Sequence, residues 1–156
     1  MAISADLANT FTVRVIYMLP KDSPILLVDD SQAIRQLVKN VLISEGYTDI
    51  QSAADGKEAL SKIKGVMNND KMYKVIFLDW NMPEMDGLEF LKICRGDLHL
   101  NEIAIVMLTA VSDQKSVVTA LSNGATAYIT KPVSSETVLK RLDQIGKWFE
   151  SQGRAP

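Results

Sequence analysis

Three uninterrupted apolar runs stand out along the chain: Ile25-Leu26-Leu27-Val28, Val75-Ile76-Phe77-Leu78 and Ile103–Leu108. Runs this short, without alternation, predict strands covered on both faces. Between them apolar positions recur at helical spacing. Ile34, Leu37, Val38, Val41 and Leu42 form one stripe, with Ser31 as its N-cap and Gly46 as its C′ stop. Asp49–Ala53 is a weaker strand candidate. Asp55-Gly56 opens a second helix, with Ala59, Leu60, Ile63 and Met67 on one side. Gly87–Arg95 reads as a third helix, with Leu88, Leu91 and Cys94 inward. Ser112 or Asp113 caps a fourth that carries Val117, Val118 and Leu121 and closes at Asn123-Gly124. Ala127-Tyr128-Ile129 is a short strand. Ser134 or Ser135 caps a last helix with Val138, Leu142, Ile145 and Phe149 inward, fading near Ser151-Gln152-Gly153.

Strand and helix thus alternate five times. That order predicts an α/β fold, a doubly wound five-stranded parallel sheet with helices on both faces and right-handed crossovers. Such sheets bind ligands outside the carboxyl ends of the strands, where the strand order reverses. Pro20-Lys21-Asp22-Ser23-Pro24 is turn chemistry. It sets off an extension, residues 1–23, from a body at 24–150, with 151–156 as a tail. In the extension Phe11, Val13, Val15, Tyr17 and Leu19 alternate like a strand, while Ile3, Leu7, Phe11 and Val15 share helical spacing. The expectation is an added element that packs on the domain or on a partner. A natural start at Met18 would instead leave it idle.

Composition narrows the class. The chain has 156 residues, enough for one domain with a sizeable core. With 47% hydrophobic and 23% charged residues, it is neither disordered, collagen-like nor disulfide-rich. A net charge of −2 supplies no bulk positive field for nucleic acid or an anionic membrane, and neither partner is expected. One cysteine, Cys94, and one histidine, His99, cannot build a Cys/His metal cage. Cys94 is expected in the core and His99 on the surface loop Asp97–Glu102. Trp148 and Phe149 either cap the core or mark a contact surface. No run approaches the ~18 apolar residues of a membrane span. Val13–Leu19 is interrupted by Arg14 and follows no basic residue, the wrong polarity for a secretory signal. With a lone cysteine, this points to the cytoplasm.

The candidate chemistry sits where the strands end. The first strand stops at Asp29-Asp30, the third at Asp79 and the fourth at Thr109; Lys131-Pro132 follows the fifth. Taken singly, each is ordinary: a turn-forming aspartate, a β-favouring threonine, a solvated lysine. Together they are not. Parallel strands lie only ~4.8 Å apart, so three carboxylates on neighbouring strand ends would crowd and repel. A divalent cation resolves the repulsion, and an all-oxygen donor set points to Mg²⁺ or Mn²⁺. A metal, an ammonium and a hydroxyl around a carboxylate outline a phosphoryl site, and a carboxylate can itself be the nucleophile in such a site.

These motifs resemble the receiver domain of two-component response regulators. The resemblance rests on Asp29-Asp30, the run Leu78-Asp79-Trp80-Asn81-Met82-Pro83-Glu84-Met85-Asp86-Gly87, Thr109-Ala110 and Lys131-Pro132. The spacings are 49 residues from Asp30 to Asp79, 30 more to Thr109 and 22 more to Lys131. It covers about residues 24–150, and Asp79-Trp80-Asn81-Met82-Pro83 is most similar to single-domain chemotaxis-type regulators. The resemblance implies a flavodoxin-like fold with strand order 2-1-3-4-5. It implies that Asp79 is the phosphoacceptor, assisted by Thr109 and Lys131. It implies Mg²⁺, replaceable by Mn²⁺, held by Asp30, Asp79 and the backbone carbonyl of Asn81, with Asp29 acting mainly through water. It implies a switch aromatic at Tyr128 and a cis peptide between Lys131 and Pro132. The implied partners are a sensor histidine kinase or histidine phosphotransfer protein upstream and a target protein downstream. That target would meet the face made by helix 113–123, strand 127–130 and helix 135–150. The chain's length leaves no room for an output module, so a stand-alone switch is expected, catalysing only its own phosphorylation and dephosphorylation.

Two other functions fit the topology less well. A flavin carrier needs a hydroxyl- and glycine-rich phosphate loop after the first strand, where this chain has Asp29-Asp30-Ser31-Gln32. A phosphatase with an aspartyl intermediate needs two aspartates two apart, where this chain has Asp79-Trp80-Asn81.

Overall fold

The computed structural model describes residues 18–110 and 114–153. Its elements run β1 (Ile25–Val28), α1 (Gln32–Ser44), β2 (Ile50–Ala53), α2 (Gly56–Val66), β3 (Val75–Asp79), α3 (Gly87–Gly96), β4 (Ala104–Thr109), α4 (Gln114–Ser122), β5 (Ala127–Thr130) and α5 (Ser135–Ser151). The strands form one sheet ordered β2-β1-β3-β4-β5, and every neighbouring pair is parallel. This is the doubly wound fold expected from the alternation and the resemblance. The strands that read as continuous apolar runs, β1, β3 and β4, are buried along their whole length.

Alternate residues of each strand serve two cores. Ile25, Leu27, Val75, Phe77, Val106 and Leu108 join the core shared with α1 and α5. Leu26, Val28, Ile76, Leu78, Ile105 and Met107 join the one beneath α2 and α3. The edge strand β2 has Gln51 exposed and only Ala53 buried, which is why its sequence signal is weak. Ser31 caps α1, its Oγ accepting from Ile34 N, and Gly46 follows the helix at φ +91°, a backbone conformation that only glycine adopts without strain. Asp55 and Ser134 cap α2 and α5, and Ser134 with Thr137 forms a reciprocal capping box. Val138, Leu142, Ile145 and Phe149 of α5 are all buried, and the Trp148 ring meets the Phe149 ring edge-on at 5.0 Å. Cys94 is buried and His99 exposed.

Several helical stripes sit differently from the sequence reading. On α3 the most deeply buried side chains are Phe90, Leu91 and Cys94, while Leu88 is only partly covered. On α1 Leu37 is exposed, and Val38, Val41 and Leu42 carry the contact. The largest departure is α4, where Ala120 alone is buried and Val118 and Leu121 are 62% and 45% exposed. Periodicity locates an apolar face but not whether that face meets the sheet. The expected caps Ser112 and Asp113, and residues 1–17 of the extension, lie outside the described residues. Leu19 is 1% exposed within the first core, and the Thr48 N–H donates to Lys21 O at 3.0 Å, so residues 19–21 are tied to the α1–β2 connection. Among the described residues no helix is long and apolar enough to cross a membrane.

Candidate functional site

The register of the sheet assembles the acids. Val28 pairs with Leu78, which brings Asp29 level with Asp79 at the carboxyl end of adjacent strands. Asp29, Asp30 and Asp79 each offer a carboxylate oxygen, and these lie within 4.8 Å of one another. Asp29 is 1% exposed and Asp79 3%, whereas Asp30 faces solvent. The Lys131 ammonium donates to Asp79 Oδ1 at 2.9 Å and lies 3.4 Å from Asp29 Oδ2. The Lys131–Pro132 peptide is cis, and the Lys131 N–H donates to Thr109 O at 2.7 Å. Thr109 is buried at the end of β4, one residue beyond Leu108, the register partner of Asp79. Four of the expected site residues therefore meet around one point, with Thr109 on the adjoining strand end.

Local hydrogen bonds hold this geometry. Asp29 Oδ1 accepts from Ser31 N at 2.8 Å, which fixes the turn into α1. The Arg35 guanidinium donates to Asp29 O. Asp29 Oδ2 is buried and has no hydrogen-bond partner. The loop after β3 is closed at its base, with Trp80 N donating to Leu108 O at 2.9 Å and Gly87 N to Trp80 O at 2.8 Å. Asp86 caps α3. Farther out, the loop is latched to α2 by the exposed Lys57–Glu84 ion pair at 3.0 Å and by Met85 lying against Gly56. Asn81 stands exposed within this loop. Tyr128 lies on β5 beside Met107, half-buried, with the Arg141 guanidinium 5.2 Å from its ring.

Two contributors were missed in the sequence. Gly87 was visible only as the end of a motif, yet a Cβ there would lie 2.3 Å from Asp79 O and 2.9 Å from Trp80 Cα. Arg35 gave one signal, a cation in the first turn of a helix, where the dipole disfavours it.

Electrostatics mark Asp79. Burial is the main cause that pushes its carboxyl up from 3.8 to about 6; the Lys131 hydrogen bond pulls the other way but offsets this only in part, and repulsion from Asp29 adds to the rise. Burial alone would lower the Lys131 pKa, but Asp79 and Asp29 outweigh it and the ammonium is held charged. Three carboxylates facing one ammonium leave an excess of negative charge that one divalent cation would balance. The Asp29 oxygen left without a hydrogen bond and the all-oxygen donor set fit a hard cation of the Mg²⁺ type.

A raised native pKa means that the folded chain binds a proton more readily than the unfolded one. Without metal, Asp79 therefore lowers stability progressively as pH rises from about 4 to about 6. Asp79→Asn should remove that slope and raise metal-free stability at neutral pH by about 1–3 kcal/mol. Urea unfolding in a chelator across this window checks it; a wild type as stable at pH 7 as at pH 4, with no gain in the variant, would contradict it.

With the geometry in hand, the class is clear: the chain belongs to the response regulator receiver family, whose domain model matches residues 25–143. This family is one of signalling switches rather than conventional enzymes, and its members bind Mg²⁺ at an acidic pocket. Within it, the chain is similar to chemotaxis regulators. It is 40% identical to chemotaxis protein CheY1 of Helicobacter pylori over 121 residues, 78% of this chain and 94% of that protein. It is 36% identical to chemotaxis protein CheY-3 of Vibrio cholerae over 128 residues, 82% and 95% of the two chains. Among solved structures, chemotaxis response regulator CheY4 of Vibrio cholerae superposes with a TM-score of 0.70 at 37% identity, covering 80% of this chain and 98% of that one.

Proposed function

We propose that this chain is a chemotaxis-type switch in the cytoplasm that takes a phosphoryl group from a histidine kinase or histidine phosphotransfer protein onto Asp79. The observation that carries this reading is the Asp79 carboxylate, buried beside Asp29 and bonded to the Lys131 ammonium. The likeness to chemotaxis regulators, covered over 94–95% of their lengths, supports the chemotaxis-type reading.

In the proposed reaction an Asp79 oxygen attacks the phosphorus of a phosphohistidine. The P–N bond breaks, a P–O bond forms, and the departing imidazole keeps the electron pair and takes up a proton. Asp30, Asp79 and the Asn81 carbonyl would hold Mg²⁺, or Mn²⁺ in its place, with Asp29 acting mainly through water. The bound cation would supply positive charge to the phosphoryl oxygens. Lys131 exchanges its bond to Asp79 for one to a phosphoryl oxygen. The Thr109 hydroxyl donates to another, and Tyr128 turns inward as Thr109 moves.

Phosphorylation adds about one unit of negative charge and new acceptor oxygens. It biases two conformations by the difference in their contacts, and a swing from 1:99 to 99:1 requires about 5.5 kcal/mol. The proposed output face is α4-β5-α5. The exposure of Val118 and Leu121 on α4 supports it, because these side chains leave apolar surface facing solvent rather than the core.

The test is phosphotransfer from purified, phosphorylated kinases of the source organism. Transfer by at least one kinase is expected, and failure by all of them would defeat the reading. Trp80 follows Asp79 and is partly exposed, so its fluorescence should change with Mg²⁺ and again on phosphorylation. A flat titration in protein shown to be labelled would contradict the placement of the metal.

A further inference from the structure

Among the described residues Glu84 is the one non-glycine with a positive φ, at +66°. It is the centre of a three-residue turn in which Met85 N donates to Pro83 O at 2.8 Å. A glutamate in this region is strained, because its Cβ crowds the adjacent main chain, and a turn of this kind is rare. Such strain persists only where the surroundings enforce it.

The start of α2 enforces it here. That turn is a fixed frame: Asp55 Oδ1 accepts from Glu58 N and Glu58 Oε2 accepts from Ala54 N, both at 2.8 Å. From this frame the Lys57 ammonium lies 3.0 Å from Glu84 Oε2. Met85 sits so close over Gly56 that a Cβ there would stand 2.8 Å from Met85 Sδ. The loop is also tied at its base, through Trp80 N to Leu108 O and Gly87 N to Trp80 O. Asn81 stands between base and latch.

We infer that the Lys57–Glu84 pair holds the β3–α3 loop in its metal-binding form, which makes Lys57 and Glu84 positioning residues for the Mg²⁺ site, resting on the Mg²⁺ reading proposed above. Strain at Glu84 favours release of the loop, and the pair opposes it. Mg²⁺ binds the latched form, so its apparent affinity falls with the latched fraction. Both side chains are largely exposed, so the effect is modest and weakens as salt rises.

Calorimetric titration of the metal-free protein with Mg²⁺ tests it. Lys57→Gln combined with Glu84→Gln removes the pair and leaves the net charge at −2. Affinity should fall about two- to fivefold at low salt. Lys57→Arg, which keeps the pair, should bind as the wild type does. In chelator the Met85 amide should exchange faster in the double variant, while β3 and β4 keep their protection. A double variant that binds Mg²⁺ as tightly as the wild type would overturn the latch and leave the metal site standing. An equal loss in Lys57→Arg would overturn it too, as would a loss of affinity with Met85 exchange unchanged. A wild type that binds no Mg²⁺ would defeat the metal site and the latch together.

Discussion

Asp79→Asn or Asp79→Ala abolishes labelling of the protein by a small phosphodonor in the presence of Mg²⁺. Asparagine keeps the shape of the side chain and a hydrogen-bond acceptor for Lys131, but it lacks the carboxylate nucleophile. Asp29 and Asp30 remain in the variant, so residual labelling measures how far either can substitute. Little substitution is expected. Asp29 is bound through Oδ1 to Ser31 N, and Asp30, although its carboxylate is close by, is exposed to water, unlike the buried Asp79 carboxylate that accepts from Lys131. The check is intact-mass measurement after incubation with donor and metal, on protein whose unfolding curve shows it folded. Undiminished labelling of either variant would refute the assignment of Asp79.

Gly87→Ala has the second large effect. The added Cβ would lie 2.3 Å from the Asp79 carbonyl oxygen, 2.9 Å from Trp80 Cα and 3.0 Å from Met107 Cε. Two of these three atoms are backbone, and β3 is clamped between β1 and β4. No side-chain rotation therefore relieves the overlap, and the start of α3 must move away from the strand. A loss of about 2–4 kcal/mol is expected, above the usual range for an overpacked methyl because the neighbours are main chain. Any shift of Asp79 O also carries the loop holding Asn81, so Mg²⁺ affinity should fall with stability. Denaturant unfolding and a Trp80 titration read the two effects; a variant unchanged in both would show that the close approach is not a constraint.

The framework was legible because its physics is local. The apolar runs of β1, β3 and β4 could only be strands covered on both faces, and Ser31, Asp55 and Ser134 cap the helices they precede. The acids were legible because they lie where β1 and β3 end, and Lys131 because it follows the short strand β5. Other features depend on tertiary placement. Val118 and Leu121 repeat at helical spacing but face outward, because α4 rests on the small Ala120. On α3 Phe90, not Leu88, joins Leu91 and Cys94 inward, which depends on how the helix is rolled on the sheet. Arg95 read only as the end of a helix. Its guanidinium donates to the carbonyls of Leu100, Asn101, Ile103 and Gly124, tying the α3–β4 loop to the turn before β5. Burial lowers its pKa, and these four carbonyls supply the hydrogen bonds that water otherwise would. No spacing rule connects residues 95 and 124.

The most direct measurement is to locate the label in the wild-type chain. After incubation with a small phosphodonor and Mg²⁺, peptide mass spectrometry under conditions that preserve acyl phosphates should find one phosphoryl group, on Asp79, and none when the metal is chelated. A phosphoryl group on His99 or on a hydroxyl side chain, or labelling of Asp79 that is indifferent to the metal, would contradict the account.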